Sequence, residues 1–328
     1  MIQARFHFLL AVFLIYGTTS FGSADAQVRK YNVCVTDFSV GAMPLLIAKH
    51  YGYFAQEKLE VDVLAARGNL CTMGLIANSF QFTYSPSTFD AVVGGDVKGK
   101  VIYVAQKFLL HRLIVSPQIK SLEELKGKKI AISAFGTLTD LLTREILTDN
   151  NLRPMQDVML LQTGGAPVRY AALKSGNVDA ALLSSQYALT ALHDGFRNLE
   201  YTPPPFVSHP LITRDDLLTK EKPLIQGFLR AMAKGHLFFG QRHEETLTLI
   251  QKLMRISDRK AAKENYEDEL RRYNPGGGFE AKNMRRVIDR ARETRKMDRK
   301  VEISEVFDLS LAAEAWDAMK KSGWQPRG

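Results

Sequence analysis

The residues of this chain that could do chemistry are mostly small, hydroxyl-bearing or amide side chains set just after short apolar runs. The fullest case is Lys128 to Leu142, KKIAISAFGTLTDLL. Ile130, Ala131 and Ile132 read as a buried strand, and Thr137 followed three places on by Asp140 is a helix-start signature. Backbone N–H groups in a first helical turn converge on one point with partial positive charge behind them. An anion or a carbonyl oxygen can bind there without a charged side chain. An ordinary strand-to-helix turn carries the same pattern, so the stretch gains weight only by repetition. It is repeated: Asp37-Phe38-Ser39, Ser85-Pro86-Ser87-Thr88, Thr163-Gly164-Gly165-Ala166-Pro167 and Ser184-Ser185-Gln186 all follow strand-like runs and precede helical ones.

Catalytic signatures do not accompany these turns. His243-Glu244-Glu245 begins like a zinc helix but lacks a second His four residues on, and His50, His111, His193, His209 and His236 show no ligand spacing. Gly276-Gly277-Gly278 after Pro275 reads as a flexible connector, because no Lys-Ser or Lys-Thr follows to hold phosphate and magnesium. Ser184-Ser185 lacks the glycine frame of a nucleophile elbow. The residues therefore point to binding without chemistry, with no cofactor and no metal expected.

The elements that must position these turns alternate in type. Tyr31–Thr36 reads as a strand, Pro44 opens a helix that Gly52 ends, and Glu60–Ala65 is a second strand, together a βαβ unit of a parallel sheet. Arg67-Gly68-Asn69 leads into another helix, and Phe80–Tyr84 reads as a third strand. Val101–Ala105 and Leu113–Ser116 read as further strands, and Ser121-Leu122-Glu123-Glu124 is a capping box closed by Gly127. A second alternation follows: a helix to about Asn150, strand 158–161, helix 168–175, strand 178–183, and a helix ending near Gly195. Pro203-Pro204-Pro205 is stiff and extended, suited to a crossing between lobes. From Thr213 the pattern is helical almost throughout. In residues 284–295 one apolar face (Met284, Val287, Ile288, Ala291) opposes Arg285, Arg286, Arg290, Arg292 and Arg295, with Asp289 and Glu293 interleaved. That mixture predicts the solvated face of a packed helix rather than a membrane or nucleic-acid surface.

Residues 1–26 read as a secretory leader: a basic start, an apolar run from Phe6 to Tyr16 too short to span a bilayer, and Ala24-Asp25-Ala26 as a cleavage triplet. The 328-residue chain carries a net charge of +9. Lys and Arg outnumber Asp and Glu by 25 to 19 beyond residue 207 but balance at 9 to 9 over residues 116–207. Such a distribution gives no footprint for nucleic acid. The two cysteines, Cys34 and Cys71, sit in a strand and near a helix start. Burial side by side as free thiols is favoured over a bridge, which an oxidising compartment would permit.

Three phrases carry a resemblance: PLLIAKHYGYFAQEKLEVDVL (44–64), SLEELKGKKIAISAFGTLTDLL (121–142) and GGAPVRYAALKSGNVDAALLSSQYA (164–188). In order and spacing they resemble the periplasmic solute-binding proteins of ABC importers of the nitrate, sulfonate and taurine type, the SsuA/THI5-like group. The resemblance implies an α/β type II periplasmic-binding-protein fold, two Rossmann-like lobes joined by two hinge crossings. Residues 27–115 and 208–328 would form the first lobe and 116–207 the second. It implies a monomeric receptor that delivers a small-molecule ligand to an inner-membrane ABC permease. The cleft would be lined by Asp37, Phe38 and Ser39; Gly68 and Asn69; Ser85 and Ser87; Phe135, Gly136, Thr137 and Thr139; Gly164 and Gly165; Ser184, Ser185 and Gln186; and Phe206. This agrees with the positions at which open α/β sheets take ligands.

Two departures qualify the match. Asn78-Ser79-Phe80-Gln81-Phe82 replaces the usual turn of the third strand. Asp37 would repel a sulfonate or nitrate and suit a hydroxyl, an amine or a ring nitrogen, unless it is a solvent-facing turn residue. Phe38, Tyr84, Phe135 and Phe206 could sandwich a flat ligand, core packing being their other fate. A receptor for a membrane sensor would use the same cleft. A THI5-like pyrimidine synthase lacks support, because that enzyme's cysteine-rich motif is missing.

Overall fold

The computed structural model describes residues 29–36, 38–109 and 111–326; the expected leader and Asp37 fall outside the described residues. The first segment runs β1 (Arg29–Val35), α1 (Met43–His50), α2 (Tyr53–Gln56), β2 (Leu59–Ala65), α3 (Gly68–Ile76), β3 (Phe82–Tyr84), α4 (Pro86–Gly94) and β4 (Gly99–Phe108). The second runs β5 (His111–Val115), β6 (Lys129–Ile132), α5 (Leu138–Asp149), β7 (Met159–Gln162), α6 (Ala166–Lys174), β8 (Ala180–Ser184), α7 (Ser185–His193) and β9 (Arg197–Leu199). The chain then returns through β10 (Pro205–Arg214) to α8 (Asp215–Lys220), α9 (Lys222–Gln241), α10 (His243–Met254), α11 (Arg259–Leu270), α12 (Ala281–Thr294), α13 (Ile303–Val306) and α14 (Ser310–Lys321).

Two five-stranded sheets result, ordered β2-β1-β3-β10-β4 and β7-β6-β8-β5-β9. Each has an apolar cluster on either face, so each sheet and its helices form an α/β lobe. In the first lobe Phe82 stacks on Phe228 at 4.3 Å between ring centroids, with Tyr31 edge-on to Phe82 at 5.3 Å. Gly235 lets α9 cross α1 closely, since a Cβ there would meet the Pro44 carbonyl oxygen at 2.1 Å. These features match the two-lobed fold expected from the pattern of elements.

Several local readings are corrected. His111–Val115 pairs with β8 and β9 in the second sheet, so this strand sits with the second lobe rather than within 27–115. The tri-proline segment does not only cross: Pro205 begins a ten-residue strand that inserts antiparallel between β3 and β4. Its prolines concealed it. The strand tolerates Pro210 because the pairing register slips between Leu211 and Ile212 and His209 takes a left-handed backbone with φ +50°, the marks of a bulge. Ser121–Glu124 opens a 3₁₀ turn, Glu123–Leu125, rather than an α-helix. The triple glycine is an ordered turn: the Gly277 carbonyl accepts from Val104 N–H at 2.9 Å, and the Asn274 amide donates to Val104 and Gly278 carbonyls. That turn covers the outer edge of β4, which would otherwise expose unpaired backbone groups.

The cysteines are bonded, not free. Cys34 on β1 and Cys71 on α3 form a disulfide with their Cα atoms 5.4 Å apart. Pairing across a strand and the following helix was hidden because nothing local reveals how α3 lies on the sheet. The bridge anchors the helix whose first residues, Gly68 and Asn69, sit at the sheet's C-terminal edge. The lobes are also joined by a buried ion pair: Arg112, just past the first crossing, donates to Asp268 of α11 at 2.5 Å, their side chains 10% and 7% exposed. A charge removed from water this far is tolerated only with its partner in place.

Both links can be tested by unfolding in denaturant. Converting both cysteines to Ser opens a loop of 37 residues' separation, which is expected to cost about 2–4 kcal/mol. Asp268→Ala leaves the Arg112 guanidinium buried without its counter-charge and should cost about 3–5 kcal/mol. A loss within about 0.5 kcal/mol, the range of surface substitutions, would show that the pair does not hold the lobes.

Candidate functional site

Strand direction locates the cleft. β1, β2 and β3 are parallel, and β10 runs antiparallel to both β3 and β4, so β4 shares their direction and its end at Phe108 lies with their C-terminal ends. In the other lobe His111 pairs with Ser184, so β5 begins where β8 ends. Both crossings therefore lie at the C-terminal edges of the parallel strands, and those two edges face one another. Every expected site residue within the described structure sits on a turn at one of these edges or at the opening of β10.

On the first lobe, Ser39 Oγ lies 3.4 Å from His209 Nε2, and Phe38 is half exposed. Gly68 packs so tightly on Ser87 and Ser85 that a Cβ would meet Ser87 Oγ at 2.4 Å, which joins the turns after β2 and β3. Ser85 is fully buried and its hydroxyl has no protein partner, while Ser87 and Asn69 are exposed. Tyr84 is also fully buried, with its hydroxyl unpartnered and its ring 5.3 Å from His209. Burial pushes that phenol's pKa well up, so it stays a neutral donor. Tyr84 thus presents no ring face to a ligand, which corrects its reading as one wall of a sandwich.

On the second lobe the turn after β6 is organised by hydroxyls. Ser133 N–H donates to Thr139 Oγ1 at 2.9 Å, and Ser133 Oγ lies 2.7 Å from both Thr137 Oγ1 and Thr139 Oγ1. Thr137 donates back to the Ala134 carbonyl at 2.6 Å instead of capping α5. Asp140 accepts from Gly136 N–H at 2.9 Å and from Arg144 at 2.7 Å, so it reaches back over the turn. Phe135 is half exposed, with Arg144 6.0 Å from its ring centre. Gly165 is the N-cap of α6 and Ser184 that of α7, and neither they nor Ser85 cap with a side chain. Ser185 and Gln186 open α7; their side chains are outside the described residues. Phe206 stands beneath the Arg290 guanidinium, 5.1 Å from the ring centre.

A group of charged residues that the sequence pattern did not reveal lies where the lobes meet. Arg169 is buried; its Nε donates to the Leu182 carbonyl at 3.1 Å and its Nη1 to the Gly164 carbonyl at 2.7 Å, with no carboxylate bonded among the described residues. It therefore holds the Gly164 turn in place. His111 is pushed down to about 4 by burial, with Arg169 and Arg272 adding repulsion, and stays neutral near pH 7. Gln106 donates to Glu269 and lies 3.1 Å from His209 Nδ1, and Arg272 bonds both Glu269 and Gln106. Burial pushes the Glu269 carboxyl up, against the pull of Arg272 and Gln106. Arg112 Nη1, Asp268 Oδ2 and Arg272 Nε have no partner among the described residues. Buried polar atoms left open in this way call for water or ligand. The signal in the sequence was an arginine inside an otherwise apolar strand, HRLIV, and an acidic pair on α11 too distant to be matched to it.

The basic face of α12 is likewise not simply solvated. Arg286 bonds Glu145 at 3.1 Å and Asp149 at 2.8 Å, and Arg290 bonds Glu145 at 2.8 Å, joining α12 of the first lobe to α5 of the second. The interleaved charges resemble an exposed face because the opposing acids come from another lobe. Among the described residues no group of His, Cys, Asp and Glu could hold a metal ion, and no helix is long and apolar enough to cross a membrane.

Comparison with known proteins agrees with this geometry. The structure superposes on a putative sulfonate ABC transporter periplasmic sulfonate-binding protein, SsuA, from Methylobacillus flagellatus KT with TM-score 0.73 at 17% identity, over 92% of this chain and 98% of that one. SsuA from Escherichia coli, a periplasmic aliphatic sulphonate binding protein, gives 0.67 at 19% identity over 85% and 92%. A desulfurization enzyme, DSZB, gives 0.58 at 13% identity over 88% and 99%. These likenesses establish the periplasmic-binding-protein fold. Comparison with curated protein sequences finds no match. The NMT1/THI5 like family model matches residues 40–245. With well over half of its length matched, the chain belongs to the NMT1/THI5-like family.

Proposed function

We propose that this protein is the extracytoplasmic substrate-binding component of an ABC importer. It takes a small organic solute into the cleft between its lobes and hands it unaltered to a membrane permease, acting as a monomer. The reading is supported by the small-residue turns of both lobes, which lie at the C-terminal strand edges where the chain crosses between lobes, and by buried hydroxyls of Tyr84 and Ser85 without a partner among the described residues. A solute that bridges both lobes only when they meet would shift the population towards a closed form. The residues proposed to line the crevice are those expected from the sequence, with Arg169 and His209 added.

An enzyme on the same fold is the second reading, since DSZB shares the architecture. Two serines approach His209: Ser39 Oγ at 3.4 Å, beyond the roughly 2.6–3.2 Å at which a base takes a proton, and Ser208 Oγ at 3.1 Å from Nδ1, a hydroxyl buried within β10 rather than presented at the surface. Transport without chemistry is therefore favoured.

Isothermal titration of the purified protein against sulfonates, aromatic acids and pyrimidine-type compounds tests the proposal. At least one solute should bind at one site with micromolar or tighter affinity and be recovered unchanged. Recovery of an altered solute, or no binding across the panel, would overturn it.

A further inference from the structure

A cavity of about 240 Å3 opens beside the first turns of α4 and α5. Its walls come from both lobes. Leu138 and Leu141 of α5 form one side; Phe206 and Val207 of β10 with Val287 and Ala291 of α12 form the other. Val207, Val287 and Ala291 are core residues, 2%, 1% and 5% exposed, so that side is rigid. Phe206 is fixed by Arg290, which lies over its ring and donates to the adjoining Pro205 carbonyl at 3.0 Å. The movable side is tied on by the same arginine, through Glu145 of α5. Pro86 and Leu138, the first residues of α4 and α5, line the cavity too, and its polar members are Asp90, Arg290 and Thr294.

We infer that this cavity is a subsite for a ring: the solute carries one compact cyclic apolar body, seated between α5 and α12. The volume suits this, since an apolar cavity of about 150 Å3 already takes up benzene. Because Leu138 and Leu141 belong to one lobe and the remaining walls to the other, a ring in place is gripped from both sides only while the lobes are together. The same site that sorts ring-bearing solutes from short ones would therefore also favour closure. This inference rests on the solute-binding reading above and adds to it the shape of the guest.

Methyl NMR of the full mature chain, labelled at Leu and Val, separates the two claims. The probes are benzoate and benzenesulfonate against acetate and methanesulfonate, each taken to millimolar concentration. Either ring-bearing probe should shift the Leu138, Leu141, Val207 and Val287 methyls, while acetate and methanesulfonate leave them in place. Filling the cavity from one lobe, Ala291→Leu, and separately from the other, Leu141→Trp, should each weaken the ring-bearing probe by about tenfold or more. Two variants on different elements guard against one misfolding. If no probe moves these methyls, or if short and ring-bearing probes move them alike, the subsite is refuted, whatever the wider titration panel reports. Failure of the transport reading would instead appear as a panel without any binder.

Discussion

A two-lobed fold must let its chain pass twice between lobes without either passage unravelling or locking, and here that demand falls on the buried pair of Arg112 and Asp268. Arg112 belongs to the strand that starts the second lobe, Asp268 to a helix packed on the first. Hydrophobic contact could hold the lobes together, but it has no direction and would not fix how they meet. A guanidinium and a carboxylate withdrawn from water must keep their partner, and so they fix a register between the lobes. The next residue of α11, Glu269, belongs to a second polar group with Gln106 and Arg272, which reaches His209 and through it Ser39 at the edge of the first lobe's sheet. The end of α11 thus serves both the crossing and that edge.

Electrostatics in the crevice follow from this arrangement. Arg169 lies in the protein interior and among the described residues has only carbonyl oxygens bonded to it, and His111 beside it stays neutral near pH 7. Among the described residues this cation has no bonded carboxylate, which favours negative charge beside it. Asp37 itself lies outside the described residues, so its reading as a barrier to sulfonates stands as an expectation. Its neighbours along the chain could not reveal Arg169, Arg112 and Arg272.

How much was legible depended on whether the governing contact was local. Apolar periodicity and small-residue turns at strand ends placed β1, β2 and β6 and the start of α5, and with them the two-lobed α/β plan, because those features are set within a few residues. β10 was not legible. Pro205 and Pro210 argue against a strand, and only the bulge at His209 and its place between β3 and β4 make one. The Cys34–Cys71 bond depended on the docking of a helix on a sheet, which spacing does not encode. The pairing of Arg286 and Arg290 with Glu145 and Asp149 failed for the same reason, since it joins residues more than a hundred positions apart. Alternating charge on one helix looks alike whether the opposite face is water or another lobe.

The central claim is that two lobes close upon a guest. Spin labels on exposed Met73 of α3 and exposed Met159 of β7, one in each lobe, measure this directly by pulsed dipolar spectroscopy with and without a solute found to bind. Solute is expected to shift the interlobe distance distribution towards one narrow, distinct population, while Asp268→Ala broadens it. A distribution that is identical with and without saturating solute would contradict closure.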